Sequence, residues 1–167
     1  ALYGGAAGGG KSDAMLMAAL QYVDVPHYAA ILFRRTYADL ALPGALMDRA
    51  GEWLHSTAAK WNSGTKTWTF PSGATISFGY LERDADKYRY QGAEFQMVGF
   101  DELTQFQETS YRYLFSRLRR LEGSEVPLRM RGASNPGGEG HQWVYERFIV
   151  GGRESGRLFI PAGIDDN

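Results

Sequence analysis

The sequence predicts an α/β domain built on a mainly parallel sheet, and three observations carry that prediction. Apolar runs of strand length alternate with segments of helical spacing along the whole chain. One run, Ala29-Ala30-Ile31-Leu32-Phe33, is apolar without a break, as expected of a strand covered on both faces. A glycine-dense loop from Gly5 to Gly10 stands between a short apolar start and an amphipathic segment.

The elements follow in order. Ala1-Leu2-Tyr3 reads as a strand stub, so the chain is expected to begin inside a strand. Lys11 to Val23 reads as a helix, with Met15, Leu16, Ala19, Leu20 and Val23 at helical spacing. After the strand at residues 29–33, a helical region runs from Asp39 to His55, bent where Pro43-Gly44 cannot continue it. Thr67 to Phe70 and Ala74 to Phe78 alternate around Pro71-Ser72-Gly73, which predicts an inserted β-hairpin. Phe95 to Phe100 reads as a strand ending at Asp101-Glu102. Thr109 to Leu121 reads as a helix with Leu114, Leu118 and Leu121 on one face. Leu128 to Ala133 is a further strand, His141 to Ile149 a short helix, and Arg157 to Ile160 a last strand. Ile164 to Asn167 looks like a cut and not a finished terminus.

Composition narrows the class. At 167 residues the chain is sized for one domain, and 44% hydrophobic with 22% charged residues excludes a disordered polymer. With Cys at 0, disulfide scaffolds, thiolate zinc sites and cysteine nucleophiles are excluded. Eighteen Lys+Arg against 19 Asp+Glu leave a net charge of −1, so attraction to a polyanion has to come from a local patch. No apolar run approaches the ~20 residues that span a bilayer, and no basic segment precedes an apolar one as in a secretory signal.

Gly5-Ala6-Ala7-Gly8-Gly9-Gly10-Lys11-Ser12 fits G-x-x-x-x-G-K-[ST] at every position, between a strand and a helix. Glycines let backbone N–H groups turn inward on phosphate oxygens, and the helix start adds its positive dipole end. In such a loop Lys11 reaches the β- and γ-phosphates of a nucleotide such as ATP, and the Ser12 hydroxyl holds Mg²⁺. The alternative is a glycine turn before a helix, with Lys11 merely solvated.

Asp101 and Glu102 stand at a strand end, where α/β sheets bind ligands. Asp101 has the chemistry to bind Mg²⁺ through its water shell, and Glu102 to polarise an attacking water. The bland alternative is an acidic pair capping the next helix. At the end of the following strand, Ser134 and Asn135 precede Pro136-Gly137-Gly138. Their hydroxyl and amide suit them to sense a γ-phosphate, although residue types alone favour an ordinary turn.

Taken together, these three elements resemble the ATPase domain of the large terminase subunit of tailed bacteriophages. The resemblance rests on Gly5–Ser12, on Tyr90-Gln91-Gly92-Ala93-Glu94-Phe95 leading into Val98-Gly99-Phe100-Asp101-Glu102-Leu103-Thr104-Gln105-Phe106, and on Ser134-Asn135-Pro136-Gly137-Gly138. Leu32-Phe33-Arg34-Arg35-Thr36 and the hairpin at Phe70 to Gly73 add to it. It implies a P-loop NTPase of RecA-like (ASCE) fold, a mainly parallel sheet flanked by helices. ATP and Mg²⁺ would be its cofactors, and Ser134-Asn135-Pro136 would couple hydrolysis to movement. Residues 1–167 would then be a fragment, lacking an upstream adenine-binding segment and a downstream nuclease domain. The implied partners are double-stranded DNA, the portal or procapsid, the small terminase subunit and copies of itself in a ring, in the cytoplasm of a bacterial host. Alternatives are a helicase-type RecA-like ATPase and a non-catalytic nucleotide-binding assembly module.

Many family members carry an arginine before the glycine matched by Gly92, acting on the γ-phosphate of a neighbouring subunit. Here that position is Gln91, and Arg89 is the nearest candidate finger, set against a plain surface role. Arg112, Arg117, Arg119, Arg120, Arg129 and Arg131 offer phosphate contacts to DNA, with a solvated helix face as the favoured alternative. The three histidines have no ligand spacing, and Trp53, Trp61, Trp68 and Trp143 read as packing residues.

Overall fold

The computed structural model describes residues 1–5 and 10–162. Its strands are β1 (Leu2–Gly5), β2 (Ala29–Arg34), β3 (Lys60–Asn62), β4 (Thr67–Thr69), β5 (Thr75–Tyr80), β6 (Met97–Asp101), β7 (Arg129–Ser134) and β8 (Phe159–Ala162). The α-helices are α1 (Lys11–Leu20), α2 (Tyr37–Ala41), α3 (Leu46–Leu54), α4 (Glu108–Phe115) and α5 (His141–Tyr145). Short 3₁₀ segments cover Asp84–Tyr90 and Leu103–Gln105, and a π turn covers Glu146–Val150.

The strands join one eight-stranded sheet in the order β3-β4-β5-β2-β6-β7-β1-β8. From β5 to β8 every neighbouring pair is parallel, and only β3 and β4 run against their partners. The predicted hairpin therefore forms, but its second strand is also a full member of the parallel sheet. β7 lies between β1, which leads into the glycine loop, and β6, which ends at Asp101.

Both faces are covered, as the unbroken apolar run in β2 requires. Ala30 and Leu32 point to the face packed by Met15, Leu16 and Ala19 of α1. Ile31 and Phe33 point to the other face, with Tyr111 and Leu114 of α4 and Val144 of α5. Phe100, fully buried, is ringed by Phe33, Phe106 and Tyr111 at 5.1–5.4 Å between centroids. That aromatic cluster seats the end of β6, the strand that presents Asp101.

The bend expected at Pro43-Gly44 is a full break between α2 and α3, Gly44 having a φ of 75°. α2 opens on a capping box, with the Thr36 hydroxyl accepting from the Asp39 N–H at 3.1 Å and the Asp39 carboxylate from the Thr36 N–H at 3.2 Å. α4 ends at Phe115 and not at Leu121, because the chain turns extended to pair with Phe95. The Phe95 N–H donates to the Arg117 carbonyl and the Arg119 N–H to that of Phe95. Leu118 and Leu121 thus share no helical face with Leu114.

Candidate active site

The C-terminal ends of parallel strands form the edge at which such sheets take ligands. Gly5, Arg34, Asp101 and Ser134 each end their strand at that edge. Gly5 has a φ of 140°, and a Cβ there would run into the Ala162 carbonyl, so only glycine fits. Gly10 starts α1 from a left-handed conformation, φ 62°. Ala6, Ala7, Gly8 and Gly9, the middle of the expected phosphate loop, lie outside the described residues. Lys11 is 8% exposed, which removes the merely solvated alternative.

The first turn of α1 meets the end of β6. The Ser12 hydroxyl lies within donating distance of both Asp101 carboxylate oxygens, 3.2 Å from Oδ1 and 3.1 Å from Oδ2. Asp101 is 2% exposed, and Arg34 Nε stands 2.8 Å from its Oδ2. Burial pushes the Asp101 carboxyl above its ordinary value, against the downward pull of Arg34 and Ser12. A hydroxyl beside a buried carboxyl is a hard-oxygen set of the kind Mg²⁺ takes, so Ser12 and Asp101 fit the expected metal.

Glu102 follows in a left-handed backbone, φ 56° and ψ 53°, which costs a residue with a side chain about 1 kcal/mol. It is half-buried, and its carboxyl has no hydrogen-bond or ion-pair partner among the described residues. The three carbonyls after Leu103 are each held from outside the turn. Thr104 O accepts from the Gly140 N–H at 2.6 Å, Gln105 O from Arg35 Nη1, and Phe106 O from Trp143 Nε1 at 2.9 Å. Gly140 has to be glycine, since a Cβ would enter the Phe106 and Thr104 carbonyls.

Ser134 belongs to the same set of bonds. Its hydroxyl is 2.7 Å from that of Thr104, accepts from the Thr104 N–H at 3.2 Å and is 3% exposed. The segment is therefore more than a surface turn: it is tied to the residues after Glu102. Asn135 Oδ1 is buried without a hydrogen-bond partner among the described residues. Gly140, which the sequence does not single out, holds this arrangement together with Thr104, a motif residue without an assigned role, and Trp143, read only as packing. In the sequence Arg34 stands only as part of the motif Leu32-Phe33-Arg34-Arg35-Thr36.

Arg89 sits apart. Its guanidinium lies over the Tyr80 ring at 5.1 Å and 3.1 Å from the Asp86 carboxylate, with 53% of the side chain exposed. Tyr80 ends β5, and β2 separates β5 from β6, so roughly 10 Å divides the two strands. No hydrogen bond or ion pair among the described residues joins Arg89 to Asp101 or Glu102. Of the arginines considered for DNA, Arg129 is buried and bonded to Gln21, the Ala18 carbonyl and the Tyr28 hydroxyl. Arg117 stands over the Tyr113 ring and Arg119 donates to nearby carbonyls, so these residues make no continuous helix face. Trp68 is buried, and Trp143 donates its indole N–H to Phe106, as packing residues do.

Residues 2–147 match the family model described as terminase large subunit, T4likevirus-type, N-terminal. Among solved structures, the chain is similar to the large terminase of a thermophilic bacteriophage. Against its complex with ATP-γ-S the identity is 20%, the TM-score 0.74, and the match covers 99% of this chain and 40% of that one. Against its complex with ADP the identity is 18% with the same TM-score of 0.74, and against another crystal form 15% and 0.73. The chain thus spans 40% of the length of these solved relatives. No curated protein sequence matches it significantly. At such identities the likeness speaks for the fold, and the expected sheet with flanking helices is borne out.

Proposed function

The chain belongs to the T4-like-virus type of large terminase subunits, as an N-terminal part, and on that premise we propose that it is the ATP-hydrolysing motor domain that drives DNA into a procapsid. The observation that carries this reading is the Ser12–Asp101 contact with Glu102 directly after it. Gly5 to Ser12 would cradle the phosphates, with Lys11 on the β- and γ-phosphates. Mg²⁺ held by Ser12 and Asp101 would supply charge neutralisation there. Glu102 would accept a proton from the attacking water while the bond from the γ-phosphorus to its bridging oxygen breaks, leaving ADP and phosphate. Ser134 and Asn135 would pass the loss of the γ-phosphate to the segment they are bonded to.

Support for the nucleotide comes from the thermophilic phage terminase, solved with ADP and with ATP-γ-S. Family membership speaks against the helicase-type alternative. In the whole protein, residues 1–167 would act as one P-loop ATPase domain between an adenine-binding segment and a nuclease domain. Its partners would be double-stranded DNA, the portal or procapsid, the small subunit and further copies in a ring, in the cytoplasm of the bacterial host. Among the described residues no helix is long and apolar enough to cross a membrane.

Calorimetric titration of the full-length protein with ATP and Mg²⁺ tests the site. Lys11→Ala should weaken binding roughly 10–100-fold, the worth of a hydrogen bond to a charged group, with the far-ultraviolet dichroism unchanged. Parent-like affinity in a folded Lys11→Ala protein would refute the assignment.

A further inference from the structure

We propose that Arg34 is a second cation for the terminal phosphate of the bound nucleotide, acting within its own subunit, and that its contact with Asp101 is a resting position. The inference rests on the phosphate-loop reading above and adds a residue that discriminates triphosphate from diphosphate.

Three observations converge. Arg34 ends β2, and β2 lies beside β6 on the side away from β1 and the glycine loop. A phosphate chain seated in that loop would run toward Ser12 and Asp101, which would hold Mg²⁺ to neutralise charge at its outer end. A cation on the far side of Asp101 is therefore set for the γ-group and distant from the rest of the nucleotide. Second, the contact is an ion pair without a hydrogen-bonded fork. Nε, the nearest guanidinium atom, stands 2.8 Å from the carboxylate outside hydrogen-bond geometry, and neither Nη donates to it. A lasting arginine–carboxylate pair commonly uses two parallel donors. No described residue takes either Nη atom, and the side chain is 19% exposed. The guanidinium thus keeps its charge and up to four N–H donors for a ligand.

Third, the other arginines near this edge are committed elsewhere. Arg35 is bonded to the Gln105 carbonyl and to Glu139 at 3.2 Å. Arg89 lies beyond β2, over Tyr80. An incoming triphosphate would offer Arg34 a denser negative charge than the one carboxylate it now meets. Asp101 would keep the Ser12 hydroxyl.

The test is a calorimetric comparison of ADP and ATP-γ-S, each with Mg²⁺, on the full-length protein as parent, Arg34→Gln and Arg34→Lys. Arg34→Gln should weaken ATP-γ-S roughly 10–100-fold and ADP by less than about threefold. Arg34→Lys, which keeps a charge beside Asp101 but loses the fork, should show a smaller selective loss. The two ligands act as internal controls, since a damaged fold weakens both. Equal weakening of both nucleotides, or of neither, overturns the proposal. If Arg34→Gln does not fold, Arg34→Lys is judged by the same criterion of selective loss. Lys11→Ala, run alongside, separates the layers. Parent-like binding of both nucleotides by Lys11→Ala removes the phosphate-loop reading itself. Loss with Lys11→Ala but no selective loss with Arg34 removes this inference alone.

Discussion

The hydroxyls of Thr104 and Ser134, 2.7 Å apart and buried, tie the turn that follows Glu102 to the turn that follows β7. Thr104 serves the link three times, through its hydroxyl, through its N–H to Ser134 and through its carbonyl to Gly140. A backbone held at so many points has little freedom, and Glu102 inherits that rigidity in its left-handed conformation. Thr104→Val keeps the shape but removes the hydroxyl, leaving a buried Ser134 less well paired at a cost of about 1–3 kcal/mol. The expected outcome in the full-length protein is a lower melting temperature and lower turnover with nucleotide affinity unchanged. Turnover equal to the parent's would show that the link does not hold Glu102.

Glu102 itself yields a paired prediction. Glu102→Gln keeps the shape and loses the proton acceptor, so ATP binding should survive while turnover falls by roughly 10²–10⁴. Glu102→Gly should also lose turnover, yet stabilise the protein by about 1 kcal/mol, because glycine relieves the left-handed strain. Thermal melts and steady-state hydrolysis read the two effects separately. A Glu102→Gly protein less stable than the parent would mean that the side chain supports the fold.

The segment that carries Arg89 is pinned through Asp84. Lys87 Nζ lies 2.6 Å from Asp84 Oδ2, and the Thr109 and Ser110 hydroxyls donate to Oδ1. Lys87 first, then Thr109, holds the Asp84 carboxyl below its ordinary value of 3.8. A folded-state value below the unfolded one stabilises above the unfolded value and is lost as the pH falls through the folded one. Asp84→Asn should therefore melt below the parent at neutral pH, with the gap closing in acid. A gap that stays constant from pH ~7 to ~2 would mean that charge at Asp84 plays no part.

What the sequence could disclose follows from how local each feature is. The glycine-rich run Gly5–Ser12 and the acidic end of β6 are contiguous signals, and the fold brings Ser12 of the first within hydrogen-bonding distance of Asp101 of the second. Arg34 was legible only as a residue at a strand end. Its partner Asp101 sits on another strand, and the neighbourhood of β2 and β6 is a property of sheet order that periodicity does not encode. Arg129 reads as a strand residue, but because both faces of this sheet are covered, alternation could not tell that it is buried beneath α1. The overlong helix at residues 109–121 has the same origin: leucine spacing continued, while pairing with Phe95 drew Leu118 into an extended bridge.

Arg89 separates action within a subunit from action between subunits. Its guanidinium is held over Tyr80 at the end of β5, with β2 standing between it and Asp101. It makes no bond to the acidic pair of its own chain, and 53% of its side chain faces outward. If it meets a γ-phosphate, that phosphate belongs to a neighbouring copy, where such a finger is worth roughly 10³–10⁵ in rate. Turnover per subunit of the full-length protein should then rise with protein concentration, and Arg89→Ala should abolish the rise. Mixing is the sharper measurement. Arg89→Ala subunits keep an intact phosphate loop, and Lys11→Ala subunits keep Arg89, so the mixture should hydrolyse ATP where neither variant does alone. A mixture as inactive as its components, or an Arg89→Ala protein as active as the parent, would leave Arg89 as a surface residue stacked on Tyr80, and would leave Arg34 as the arginine that meets the phosphate.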